Sequence, residues 1–485
     1  MSINMKIMSV KYIVFFMAIA GLSLQSCNKL ELPPSDTIDA TKAYRNVDDV
    51  NMGVLGAYAP LNHGLIEVSG IVSDEVMLPT ENTVSNTSAH RWIYDSSSGS
   101  VTSPFYDYYE VIARANLVLE AIPNIPTSAA EQSRMNQYQG ELLALRAYCH
   151  FELLRAYATS YEPSGLGVPY MKVYEVSSPS RQSVQSNYDD INADLVAAKE
   201  LIPPGFSDNS RITNTAISAI QARVALYQKK WGDALRFATE VIDAEPLAPK
   251  NDFEAIWEDK SQAEVVWKLA RVIGDSRMGA SYFRETGEIV LYAPSFKLID
   301  MFGTMAQRED DVRFDSYIEY NPTRPGATGV KSAYLVNKYQ GGDPLQPGLT
   351  AVKLFRTGEM YLIRAEAALE NETGPTGISA AASDLNELRR ARIFNYINQT
   401  FTDKQTLLNA IYNERFKELA FEGHRFFDLK RRNLPVERTS QDAVNTSGAV
   451  KLETTAAQYR FPIPATEMDV NKNMEQNPHY ADDKK

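Results

Sequence analysis

Apolar residues recur at helical spacing over residues 41–61 and again over 108–122, where Pro123 and Pro126 close the segment. A stronger helix is predicted over 139–158, because Leu143, Ala147, Phe151, Leu154 and Ala158 fall on one stripe. Another is predicted over 188–201. Residues 216–243 then read as a helical hairpin, with Ala222, Ala225, Trp231, Ala234 and Ala238 at the small and large interlocking offsets of tetratricopeptide repeats. A looser copy follows, with Ala365 and Ala368 in one helix, Ala381, Leu385 and Leu388 in the next, and a loop inserted at 371–377. A last long helix is predicted over 404–421. Several such pairs make a small solenoid.

Two stretches break this pattern. Residues 67–103 are rich in Ser, Thr, Asn and Gly and carry Trp92 and Tyr94, which predicts an irregular excursion of the kind that is usually functional. Residues 251–350 switch to short apolar runs, Val265-Val266-Trp267 and Ile289-Val290-Leu291-Tyr292 among them, separated by Gly, Pro and Asn. Loops and short strands are expected there.

The first residues carry a different signal. Lys6 and Lys11 precede an apolar run over 12–24 and then Leu24-Gln25-Ser26-Cys27, the layout of an export signal. The run is shorter than the ~20 residues a membrane-spanning helix needs. Leu24-Gln25-Ser26-Cys27 resembles a bacterial lipobox, with Gln25 where a small residue is usual, so residues 1–26 read as a signal peptide and Cys27 as the acylated N-terminus. Several acyl chains on one terminus give stable anchoring. Residues 27–34, short, polar and ending in Pro33-Pro34, suit a tether, and the folded body is expected over 35–485.

The chain has 485 residues, 44% of them hydrophobic, enough for one large globular body. Its formal net charge is −12, and the two lysines of the leader make the remainder more acidic still, which disfavours nucleic acid and anionic lipid headgroups as partners. There are only two cysteines. With Cys27 lipidated, Cys149 has no disulfide partner, and its setting between Tyr148 and His150 on the 139–158 stripe suits a buried, inert thiol.

Catalytic signatures are thin. There is no His-Glu-x-x-His, no Gly-x-Ser-x-Gly and no phosphate loop, and the five histidines are scattered without ligand spacing, so neither a metal nor another cofactor is expected. With 61 acidic residues a glycosidase-type carboxylate pair can always be nominated, but sequence does not give the separation such chemistry requires. Aromatic platforms are plentiful, with 26 Tyr, 19 Phe and 4 Trp. Sugars offer apolar C–H faces and many hydroxyls, so their sites combine exposed rings with polar side chains. Trp231 falls at the hairpin packing position, and Trp257 and Trp267 lie in apolar contexts. Trp92, beside Arg91 and Tyr94, is left as either an exposed platform or a buried loop anchor.

Ser73-Asp74-Glu75, Arg114-Ala115-Asn116, the stretch from Arg356-Thr357-Gly358-Glu359 to Ala367, the stretch from Glu414-Arg415-Phe416 to Asp428-Leu429, and Phe461-Pro462-Ile463-Pro464 with Gln476-Asn477-Pro478 together resemble the SusD/RagB family. The motif order matters as much as any one motif. The resemblance implies a mainly α fold: four tetratricopeptide-like helix pairs packed against a loop-rich ligand face with a few short strands. It further implies an outer-membrane lipoprotein of Bacteroidota that sits as a lid on a SusC-like TonB-dependent transporter. Such proteins capture glycan, or in some members peptide, and catalyse nothing.

The family's ligand face is built from the 67–103 excursion and the middle loops, which makes Asn82, Arg91, Trp92 and Tyr94 candidates, with Tyr282 and Arg284 second. The mixed charges from Glu414 to Asp428 read as scaffold, with ion pairs formed locally along the helix. Two other classes remain: a helical-repeat scaffold binding only protein, and a surface glycoside hydrolase. Binding without product release separates the leading reading from the hydrolase.

Overall fold

The computed structural model describes residues 43–480 apart from Gly287, residues 325–331 and Thr373. Cys27, the signal peptide, the tether and the start of the body at residue 35 lie outside the described residues.

Helices dominate. In the first half they are α1 (Val47–Tyr58), α2 (Gly64–Val72), α3 (Gly99–Ala121), α4 (Gln132–Tyr157), α5 (Val184–Leu201), α6 (Asn214–Gln228) and α7 (Trp231–Ala244). In the second half they are α8 (Thr357–Asn371), α9 (Pro375–Arg392), α10 (Lys404–Glu418) and α11 (Arg425–Arg431). Caps set several starts: the side chains of Asn46, Ser183, Thr213 and Asp403 each accept a backbone N–H from the first turn that follows. The expected mainly α, sheet-poor fold is the one observed.

The α6–α7 hairpin turns on Lys229, which takes the left-handed conformation at φ +57° and donates its N–H to the Ala225 and Leu226 carbonyls. Ala222, Ala225, Ala234 and Ala238 are all buried, as small residues at a close helix contact must be. α4 packs on α5, α7 on α8, and α8 on α9, so the repeat units form one continuous stack. Ala234 has no accessible surface, so Ala234→Leu should force the two helices apart and cost about 1–3 kcal/mol. A lowered melting temperature checks this.

Two boundaries differ from expectation. The helix predicted from residue 108 begins at Gly99, because Val101, Phe105, Tyr108 and Ile112 continue one buried stripe through a stretch whose Ser and Thr suggested loop. At the other end of the excursion, residues 64–72 are helical and almost wholly buried. The irregular part is therefore narrower than 67–103.

Five two-stranded antiparallel ladders are formed among the described residues. They pair β1 (Val76–Met77) with β5 (Ala293–Pro294), β2 (Val265–Leu269) with β8 (Val352–Arg356), β3 (Phe283–Arg284) with β4 (Ile289–Val290), β6 (Ile318–Tyr320) with β7 (Tyr334–Val336), and β9 (Val436–Glu437) with β10 (Lys451–Leu452). Short helices at Lys250–Trp257, Phe296–Asp300, Met305–Asp310 and Val312–Tyr317 interrupt what was read as loop and strand.

The helical stack and the loop-rich middle are joined by a buried ionic lattice. The guanidinium of Arg356 reaches Glu264 at 2.6 Å, Glu418 at 3.0 Å and Glu422 at 2.6 Å. Arg392 bonds Glu264 and Glu418, and Arg313 bonds Asp311, Glu414 and Glu418. The expected structural role of residues 414–428 is realised, but with other partners: Glu418 is satisfied by arginines from three distant segments rather than along its own helix.

Candidate ligand-binding face

The excursion is held to the middle segment by side chains that sequence had assigned to ligand. Asn82 is buried. Its Oδ1 accepts from the Ser85 amide at 2.9 Å and its Nδ2 donates to the Leu291 carbonyl at 2.9 Å, which makes it a turn-former and a strap. Arg91 donates to the carbonyl and the side-chain oxygen of Asn445 at 3.1 and 2.9 Å. Trp92 is 8% exposed; its Nε1–H donates to the Val72 carbonyl at 2.8 Å and the Arg438 guanidinium covers its ring at 4.1 Å. Tyr94 is 1% exposed, its hydroxyl donating to the Gln458 carbonyl and its ring meeting the edge of Phe461 at 6.0 Å.

These contacts favour the buried-anchor alternative for Trp92, and they bury the ligand candidates Tyr94 and Asn82 as well. A polar, turn-rich segment needs interior anchors to hold its shape, and these aromatic rings supply them. Tyr282 is buried too, parallel to Tyr339 at 6.4 Å and edge-on to Phe421 at 5.6 Å. Its interior neighbour Glu75 is pushed up to about 7 by burial. Arg284, at the end of β3, is exposed. Of the six candidates, Arg91 and Arg284 alone keep side-chain surface for a ligand.

An exposed ring lies in the middle segment. On the β6–β7 hairpin Tyr320 pairs across the strands with Tyr334, their rings 4.7 Å apart and inclined at 36°. Tyr320 is 51% exposed. Phe296 stands edge-on to Tyr334 at 6.1 Å and extends the ledge. Because side chains alternate along a strand, Glu319 and Leu335 point to the opposite side of the hairpin. There they line a cleft of about 390 Å³ with Phe283, Asn321, Thr323 and Gln340.

Arg324 closes one wall of that cleft. It clasps Glu81 with two bonds of 2.9 and 2.5 Å and donates to the Glu288 carbonyl, so the excursion, β4 and the hairpin are fastened together at one buried ion pair. Sequence reasoning passed over Tyr320, Tyr334 and the cleft. The signal that could have found them is the pairing of Ile318-Glu319-Tyr320 with Tyr334-Leu335-Val336, too short to stand out as period two. Chemically, the ledge offers flat apolar faces, and the cleft offers amide and hydroxyl groups together with the Glu288 and Glu319 carboxylates. Among the described residues no group of three or more His, Cys, Asp or Glu side chains is arranged to hold a metal ion.

Comparison with known proteins gives the same assignment for the first and last parts of the chain. Residues 42–226 match the family profile described as "Starch-binding associating with outer membrane", and residues 314–480 match that of the SusD family. SusD-like protein P38 of Formosa agariphila is 23% identical over 88% of this chain and 92% of its own. The starch-binding protein SusD of Bacteroides thetaiotaomicron is 32% identical over 27% of this chain and 22% of its own. A SusD superfamily structure from Bacteroides thetaiotaomicron superposes with a TM-score of 0.79 at 23% identity, over 90% of this chain and all of that one. A laminarin-binding SusD-like protein superposes at 0.68 with 20% identity over the same shares. With one family profile on each side of the middle loops, in order, and SusD-like relatives matching along the chain, the chain belongs to the SusD/RagB family.

Proposed function

We propose that this protein binds neutral oligosaccharide at the β6–β7 hairpin, on the Tyr320–Tyr334 ledge of one side and in the cleft on the other, and hands it to a SusC-like TonB-dependent transporter without chemical change. The observation that carries the reading is the cross-strand tyrosine pair, Tyr320 51% exposed and Tyr334 half-buried, on a hairpin whose other side lines a cleft with Asn321, Thr323 and Gln340. C–H faces of a sugar ring lie on the tyrosines, and ring hydroxyls exchange hydrogen bonds with the amides and Thr323. Relatives described as starch-binding and laminarin-binding support the ligand class. The Glu288 and Glu319 carboxylates at the cleft are exposed, unlike the desolvated acid that glycoside hydrolysis uses.

Replacing Tyr320 by alanine tests the site. Affinity for a bound oligosaccharide should fall by about 1–3 kcal/mol, with the melting temperature unchanged because the ring is half exposed. Unchanged affinity would remove the ledge from the site.

Membrane attachment is assigned to Cys27 from the lipobox-like Leu24-Gln25-Ser26-Cys27, and no described helix is long and apolar enough to cross a membrane. The acylated cysteine holds the body at the outer membrane, and its outward display is what the family resemblance implies. Cys27→Ser should leave the protein in the soluble fraction or with its leader uncleaved, as membrane fractionation would show. Continued retention in the outer membrane would contradict the lipid anchor.

A further inference from the structure

A second cleft, of about 620 Å³, opens on the helical stack and shares no lining residue with the first. It lies where the α6–α7 turn, α8, α10 and the residues after α11 converge. Its volume falls within the range of about 300–1,000 Å³ typical of small-molecule sites.

The carboxylates around it are already matched within the chain. Lys229 pairs with Glu162 at 3.0 Å, Lys404 with Glu370 at 2.8 Å, and Arg431 holds Glu366 through two bonds of 2.6 and 2.7 Å. A cationic ligand would have to break these pairs. The uncharged groups, by contrast, are open. Trp231 is half-buried; its indole N–H has no hydrogen-bond partner among the described residues, and no other ring or cation lies over it. Gln405 donates to Asn409 at 3.0 Å, which leaves a carbonyl on one and an amino group on the other unpaired. Arg432 stacks on Tyr412 at 3.9 Å and uses its Nε on the Asp428 carbonyl, leaving both Nη groups as donors.

We infer that this groove is a second carbohydrate subsite, taking a neutral polyhydroxylated chain with one sugar ring against Trp231. A flat apolar ring flanked by unpaired donors and acceptors, with every lining carboxylate neutralised, suits a polyol better than a charged peptide. The inference rests on the carbohydrate reading of the family but not on the ledge. Two subsites on one chain would hold a polysaccharide at separate points and raise its avidity.

The test follows the Trp231 indole N–H resonance in ¹⁵N-labelled protein, identified by its loss in Trp231→Phe, during titration with maltohexaose and laminarihexaose. Wild type and the ledge variant Tyr320→Ala are titrated side by side. A saturable shift of Trp231 in both, weakened at least about tenfold by replacing the paired amides in Gln405→Ala/Asn409→Ala, establishes the groove. If sugar shifts other resonances of the wild type and leaves Trp231 still, the groove inference is overturned and the ledge stands. If neither sugar shifts any resonance, both readings fall. A Trp231 shift produced by an unstructured peptide and by neither sugar would make this a peptide groove and overturn the inference as well.

Discussion

Glu418→Ala should destabilise the protein by about 3–5 kcal/mol or more, the range found when one partner of a buried ion pair is removed. Glu418 is fully buried and takes bonds from Arg313, Arg356 and Arg392, so its loss leaves three interior guanidiniums short of countercharge. An exposed pair gives the contrast. Glu110 meets Arg114 on the surface of α3 with about half of each side chain in solvent, and Glu110→Ala should change stability by less than ~1 kcal/mol. Denaturant midpoints of the two variants decide the comparison.

The same lattice sets a pH dependence. Burial alone would raise the Glu418 carboxyl, but Arg392, Arg356 and Arg313 outweigh it and hold the group well below the usual carboxylate range. Glu414 and Asp428 are shifted in the same direction by their own basic neighbours. A depressed carboxylate contributes stability that is present above the unfolded-state value, about 4.3 for glutamate, and is lost as pH falls toward the folded-state value. Wild-type stability should therefore drop on acidification below that value, and the drop should be shallower in Glu418→Ala. Parallel acid profiles would show that the lattice carries no net stability.

Trp92→Ala should cost about 3–5 kcal/mol by removing a buried indole, lowering the melting temperature with or without ligand. The loss is compound. The Val72 carbonyl loses its donor, and Arg438, whose guanidinium burial pulls down to about 9, loses the ring it lies against. Trp92→Phe keeps most of the packing and should fall between wild type and the alanine variant. Oligosaccharide affinity of the folded fraction should not change in either. A Trp92→Ala variant that melts normally yet fails to bind would contradict the buried geometry and return the ring to the ligand.

What was legible in the sequence follows the range of the interactions involved. The α6–α7 hairpin could be read from Ala222, Ala225, Ala234 and Ala238 because helix pairing is local and its spacing is written in consecutive residues. The partners of Glu418 could not, since Arg313, Arg356 and Arg392 lie 105, 62 and 26 residues before it and are adjacent to it only in the folded chain. Trp92 misled for a related reason: Ser, Thr and Asn around it suggested exposure, yet in the structure Asn82 closes the turn on itself and the ring goes inward to a helix end at Val72. The start of α3 was missed because Ser98 to Ser103 looks like loop, while Val101 and Phe105 commit it to the core. The ledge was hidden by brevity, three residues on each strand, too few for alternation to register against the surrounding loops.

The central claim, capture of a neutral glycan without catalysis, is tested most directly by incubating the soluble body with laminarin and soluble starch and measuring binding and reducing ends in the same samples. The account predicts saturable binding of at least one polysaccharide, weakened in Tyr320→Ala, with no increase in reducing ends over the protein-free control. Release of reducing ends by the wild type would contradict it, as would the absence of saturable binding to either polysaccharide.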